Sequence, residues 1–183
     1  MVTLTTNPAV AVLSQIRFQQ RNTAILWDKD STLASTEHRH WMVKDIQEGR
    51  YTWVDYALRC ERDTPIDSAR TLMRTLAPYH LQIVTSGAAQ EAMVPIGAWL
   101  SRNSFPVDMI RLRPEDDECE GGLLKVRMIN ELRKDGIETV LFIEDNPAQA
   151  RVIEDMAGVP VLLLNPRWTA RSRAIAAETS GSI

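Results

Sequence analysis

Short apolar runs alternate along the chain with segments of helical period. Thr23-Ala-Ile-Leu-Trp27 has strand length and stops abruptly at the polar stretch Asp28-Lys-Asp-Ser-Thr32. His80-Leu-Gln-Ile-Val-Thr85 reads as a second strand, ending at Ser86-Gly87. Val107 to Leu112 is a weaker third. Thr139-Val-Leu-Phe-Ile143 is a strong fourth and ends at Glu144-Asp145, and Val159 to Leu164 is a fifth. Helical spacing of apolar residues predicts helices over Ile66–Ala77, Ala88–Arg102, Leu123–Lys134 and Ala148–Ala157, the last two closed by Gly136 and Gly158. Asn7-Pro8 reads as the start of a further helix reaching Gln20.

Alternating strands and helices predict βαβ units, hence an α/β fold: a Rossmann-like parallel sheet with helices on both faces. Runs rich in Val, Ile and Leu suit strands covered on both sides. The organisation expected is an N-terminal helical extension over 1–22, one domain over 23–166 and a tail over 167–183. The gap 33–65 holds only a small helical insertion, and the second gap, 88–106, little more than one helix.

The chain has 183 residues, 44% hydrophobic and 25% charged, which excludes a disordered chain or a collagen and allows a core without covalent staples. A net charge of −3 supplies no global field towards DNA or a membrane. Arginine suits bidentate phosphate contacts, and 17 arginines stand against 4 lysines. Genome base composition gives the same bias, so the ratio assigns no partner. Cys60 and Cys119 form no CxxC and no metal cluster, which fits a reduced, cytoplasmic setting. No apolar run approaches the roughly 18 residues of a membrane span, and no secretory signal is expected.

The chemistry lies where strands stop. In open parallel sheets ligands bind at the carboxyl ends of the strands, near a switch in strand order. Asp28 and Asp30 end the first run, Glu144 and Asp145 another. Several carboxylates converging at one sheet edge repel, and a cation or a proton must relieve them. Oxygen ligands without Cys or His point to magnesium. Ser86 and Lys125 supply a hydroxyl and an ammonium that can hold phosphate oxygens. Singly, each element has an ordinary structural reading as a turn, a cap or a solvated lysine. Their joint order carries the signal.

That order, strand-DxDST, strand-SG, a later helical Lys and strand-ED, resembles the haloacid dehalogenase-like (HAD) hydrolase superfamily. Within it, His38-Arg39, Trp53-Val-Asp-Tyr56, Pro65-Ile66 and Arg113-Pro114 make the chain most similar to the phosphatase domain of bacteriophage polynucleotide kinase/3′-phosphatase. The resemblance covers about Thr23 to Leu164. It implies a magnesium-dependent phosphomonoesterase. Asp28 would be the nucleophile that becomes an aspartyl phosphate, and Asp30 the general acid and base. Magnesium would be held by Asp28, Asp145 and the Asp30 carbonyl, with Glu144 beside them. Ser86, Gly87 and Lys125 would hold the phosphoryl group, and Arg39 would contact phosphate or backbone. Thr32 would support the loop.

The substrate implied is phosphorylated: 3′-phosphate ends of nucleic acid or nucleotides, with a small-molecule ester as the alternative. A phospho-receiver domain or a non-catalytic binding relative are readings of a different class. The Asp-x-Asp opening the fold disfavours the receiver. No P-loop GxxxxGK(S/T) occurs in the sequence, so no kinase half is expected beside these motifs.

Four residues depart from the family pattern. Lys29 replaces an apolar residue and is expected to face away from the metal. Ser31 replaces Gly, so the loop is expected to differ where Gly would take a left-handed backbone. Ala88 replaces an Arg, and Glu144 an Asp. The insertion is crowded with His38, Arg39, His40, Trp41, Arg50, Tyr51, Trp53 and Tyr56. These residues could stack bases and hold phosphates. The favoured expectation is a helical subdomain that buries Trp41, Trp53 and Tyr56, with His38 hydrogen-bonded and structural. The stretch Arg167 to Arg173 reads as a solvated basic helix.

Overall fold

The computed structural model describes residues 21–115 and 117–164. The expected helix over Pro8–Gln20 and the tail from Arg167 onward lie outside the described residues. Five parallel strands form the main sheet: β1 (Thr23–Asp28), β4 (Leu81–Ala89), β5 (Met109–Arg113), β6 (Glu138–Glu144) and β7 (Val161–Leu163). Their order is β5-β4-β1-β6-β7. The chain therefore builds outward from β1 on one side and then returns to add β6 on the other. That reversal puts β1 between β4 and β6 and makes its carboxyl end the switch point.

Helices α3 (Asp67–Leu76), α4 (Met93–Arg102), α5 (Gly121–Lys134) and α6 (Pro147–Ala157) connect these strands. Strand alternation explains their placement. Ile25 and Trp27 join one core cluster with Met73, Ile96 and Trp99, whereas Ala24 and Leu26 join another with Ile129, Leu132 and Ile153. Both faces of β1 are thus covered, as its unbroken apolar run requires. The Trp27 indole N–H is satisfied inside the core by Gln82 Oε1 at 2.8 Å. Helix α6 begins at Asn146, whose side chain accepts from the Ala148 and Gln149 amides, and ends at Gly158 with φ 65°.

The insertion after β1 contains α1 (Met42–Gln47), α2 (Trp53–Leu58) and two 3-10 turns. It is closed by a two-residue antiparallel pair, β2 (Ala34–Ser35) with β3 (Thr64–Pro65). This is the small helical segment that the gap length implied. Its aromatic residues differ from expectation. Tyr56 is buried, but Trp41 is 51% and Trp53 60% exposed. Helices of six residues have too little apolar face to enclose three large rings.

Three further differences concern the strand ends. The second strand does not stop at Ser86-Gly87. It runs on to Ala89, because a register shift lets Ala89 pair with Arg113 of β5. Helix α4 accordingly starts at Met93, after a 3-10 turn over Gln90–Ala92, and not at Ala88. Ser31 adopts φ 68°, so it takes the left-handed conformation that a glycine would take more cheaply.

Candidate active site

The register of β1 dictates which side chains meet. Asp28 pairs with Thr85 of β4, and Trp27 pairs with Ile143 of β6. Asp28 is therefore one step from Ser86 on one side and level with Glu144 on the other. Carboxylate oxygens of Asp28, Glu144 and Asp145 lie within 4.8 Å of one another. Lys125, on the first turns of α5, extends its ammonium between two of them, 2.6 Å from Asp28 Oδ1 and 2.5 Å from Glu144 Oε2. Glu144 also accepts from the backbone amides of Asp145 and Asn146 at 3.2 and 3.0 Å.

Burial makes this cluster electrostatically demanding. It pushes the Asp28 carboxyl well above the usual range; Lys125 opposes the rise, and the like charges of Glu144 and Asp145 add to it. Burial, then Glu144, raises Asp145 to about 7. Burial alone would lower the Lys125 ammonium, but Asp28 and Glu144 outweigh it and hold Lys125 charged. Among the described residues, Lys125 is the cation hydrogen-bonded to this cluster, through Asp28 and Glu144. The set is all oxygen and hard, which fits a divalent ion such as magnesium.

Asp30 is not in that cluster. Strand β1 ends at Asp28, so alternation no longer governs where Asp30 points. A tight turn follows, with the amides of Leu33 and Ala34 both donating to the Lys29 carbonyl, at 3.0 and 3.1 Å. The Asp30 carboxylate is instead held by cations: Oδ1 accepts from Lys29 Nζ and from Arg39 Nη2, each at 2.8 Å. Burial raises this carboxyl, but Lys29 and Arg39 outweigh it and hold it below the usual carboxylate range. The Asp30 side chain remains 34% exposed.

Other expectations meet mixed geometry. Lys29 turns from the Asp28 cluster, as expected, yet its ammonium reaches Asp30 rather than leaving the site. Arg39, expected as a phosphate contact, is 1% exposed and is occupied by Asp30, Asp63 and the Tyr56 carbonyl. Its guanidinium lies 4.0 Å from the Tyr56 ring centroid. His38 Nε2 lies 2.9 Å from Asp63 Oδ1, in the structural role foreseen for it. Thr32 is fully buried, and its hydroxyl has no hydrogen-bond partner among the described residues, so its contribution to the loop is packing.

Asp28, Asp30, Ser86, Gly87, Lys125 and Asp145 all line one cleft of about 620 Å³. Ser86 Oγ accepts from the Ala88 amide at 3.1 Å, which aims the hydroxyl along the end of β4. Two further residues line the cleft: Trp53, a base-stacking candidate in the sequence that was expected to be buried, and Arg113, to which the sequence assigned no role. Trp53 is braced by Tyr56, edge to face at 5.7 Å between centroids. Arg113 is anchored on the carbonyls of Gly87, Asp117 and Cys119 at 3.1, 2.9 and 2.8 Å. Its Nη2 would lie 3.6 Å from a side chain at Gly87, directly beside the Ala88 position where the family pattern has arginine.

No protein-family model and no curated protein matches the chain. Solved structures do. A chain of the Pnkp1/Rnl/Hen1 RNA repair complex superposes with a TM-score of 0.64 at 15% identity over 78% of this chain. That match spans 42% of the repair-complex chain, so the present chain covers less than half its length. The class C acid phosphatase of Bacillus anthracis with tungstate bound gives a TM-score of 0.57 at 18% identity, over 83% of this chain and 73% of that one. The L-2-haloacid dehalogenase of Xanthobacter autotrophicus gives 0.55 at 14% identity, over 82% and 81%. With β1 at the switch point and the acidic tips of β1 and β6 beside a helical lysine, the chain has the fold of the haloacid dehalogenase-like hydrolases.

Proposed function

We propose that this protein is a magnesium-dependent phosphomonoesterase that works through an aspartyl phosphate on Asp28 and acts on nucleotides or on 3′-phosphate ends of nucleic acid. The observation that carries the reading is the buried meeting of Asp28, Glu144 and Asp145 around Lys125, at the mouth of a cleft that also holds Asp30. Magnesium, held by Asp28 and Asp145 with Glu144 beside them, would neutralise the approach of a carboxylate to a phosphate dianion.

The chain's own groups account for the rest. Lys125 and Ser86 orient the phosphoryl oxygens, and Lys125 keeps Asp28 directed at the cleft. An Asp28 oxygen attacks phosphorus while the bond to the leaving oxygen breaks. Asp30 gives that oxygen its proton; an incoming phosphate dianion raises the affinity of Asp30 for the proton it must deliver. In the second half, Asp30 takes a proton from water as the water oxygen attacks phosphorus, and Asp28 is released as a carboxylate.

Trp53 and Arg113 support the nucleotide reading. An indole exposed at the rim of the cleft, braced by Tyr56, offers a planar face to a base, and such stacking contributes about 1–3 kcal/mol per base. Arg113 adds a guanidinium at the same cleft. The similarity to a chain of an RNA repair complex agrees with this substrate class.

The test is phosphate release with magnesium from 3′-phosphorylated oligonucleotides, 3′-mononucleotides and small phosphomonoesters, comparing the native chain with Asp28→Asn. The expected result is turnover of the nucleotide substrates and near-total loss in a folded variant. Turnover of mononucleotides alone would remove nucleic-acid ends from the reading. No turnover of any ester would remove the phosphatase.

A further inference from the structure

Lys29 is the family departure with the least obvious purpose. A lysine ammonium with 1% exposure is costly to bury and demands partners. It bonds Asp30 Oδ1 at 2.8 Å and also meets Asp63 Oδ2, from the far end of the insertion. Asp63 has a fully buried side chain that also meets Arg39 and His38. Its Oδ1 accepts from Arg39 Nε at 2.8 Å, with His38 Nε2 at 2.9 Å, and its Oδ2 accepts from Arg39 Nη2 at 2.7 Å. The Asp63 backbone is pinned as well, since its carbonyl accepts from the Trp99 indole at 2.8 Å and its amide donates to Cys60 at 3.0 Å.

The result is a quartet of two cations and two carboxylates with one open corner. Both cations converge on a single oxygen of Asp30, Oδ1, and no hydrogen bond among the described residues engages Oδ2. Asp30 is the one member that lines the cleft. A purely structural role explains this poorly, because apolar residues of similar volume are often as stabilising as a buried ion pair, or more so.

We propose that Lys29 and Asp63 are positioning residues: Asp63 holds Lys29 and Arg39 in place, and the two cations fix the Asp30 carboxylate so that its other oxygen meets the leaving group. The proposal rests on the phosphomonoesterase reading above. It makes residues 33–65 part of the reaction apparatus, because the anchor lies at the far end of that insertion.

The leaving group separates positioning from general damage. An alkoxide, such as the sugar oxygen of a 3′-nucleotide, needs a proton as it departs; p-nitrophenolate needs almost none. kcat/KM reads the first half reaction, through departure of the leaving group. The experiment compares kcat/KM for a 3′-mononucleotide and p-nitrophenyl phosphate in the native chain, Lys29→Met, Asp63→Asn and the double variant, with thermal melts of each. A positioned general acid contributes about 10²–10⁴-fold. Each single substitution is therefore expected to lower the nucleotide value by about 100-fold and the aryl ester value by less than about 10-fold. The double variant is expected to lose little more of the nucleotide value than the worse single variant, because both residues act through the same hold on Asp30. If Asp63→Asn does not fold, Lys29→Met and the double variant carry the comparison alone. Equal losses on both esters, no loss, or losses that multiply in the double variant would overturn the proposal and leave the phosphatase standing. A native chain that hydrolyses neither ester would overturn both.

Discussion

Lys125 is the counter-charge of Asp28 and Glu144, with 4% of its side chain exposed between them. Replacing it by Met leaves two buried carboxylates without the counter-charge that bridges them. Breaking such a pair costs roughly 3–5 kcal/mol, so Lys125→Met is expected to fall by about that much in denaturant midpoint experiments at pH 8 without magnesium. Ser31 gives an opposite case. Its φ of 68° strains any residue with a Cβ, so Ser31→Gly is expected to raise stability by about 1 kcal/mol in the same measurement. The acids, Ser86 and Lys125 were legible in the sequence because they interrupt apolar runs or follow them in a fixed order. The fates of Arg39 and Lys29 were not. Both are decided by Asp63, more than twenty positions away, and neither periodicity nor spacing indicates which buried carboxylate an insertion will deliver.

At the scale of elements, the site depends on how α5 lies against α6. Gly122 is on the first turn of α5, and a Cβ there would meet Val152 Cβ of α6 at 2.9 Å. Gly122→Ala is therefore expected to force the helices apart, destabilise the fold by roughly 1–3 kcal/mol, and lower kcat by displacing Lys125 three residues on. Paired denaturation and kinetic measurements check both. Helices α3 to α6 and all five strands of the sheet were readable from apolar pattern and caps. The extension of β4 through Ser86 and Gly87 was not. Those residues look like a turn, and only the shifted pairing with β5 makes them strand. The six-residue helices of the insertion were also opaque, since so short an apolar face does not say which of three aromatic rings it buries.

At the scale of the whole molecule, a divalent cation is expected to act as a folding ligand, because its site draws on β1 and β6 and exists only in the native state. The pH dependence follows from the raised carboxyls. Asp145 at about 7 in the folded chain, against 3.8 as its ordinary value, means that the folded state binds the extra proton between those limits. Its contribution to stability is complete below about pH 4 and is lost as pH rises through 7. A divalent cation held there would replace the lost proton. Adding it is thus expected to raise Tm more at pH 8 than at pH 5.5, where protons compete for the same oxygens. Calorimetric scans at the two pH values check this.

The central claim, that Asp28 itself accepts the phosphoryl group, is open to one direct measurement. A magnesium reaction with a 3′-mononucleotide labelled in its phosphate is quenched in acid within the first turnovers, and the protein is mapped by peptide. The account predicts label on the peptide containing Asp28, chased into inorganic phosphate on longer incubation and absent in Asp28→Asn. Phosphate release with no label on Asp28 at any time, or with label on another residue, would contradict it.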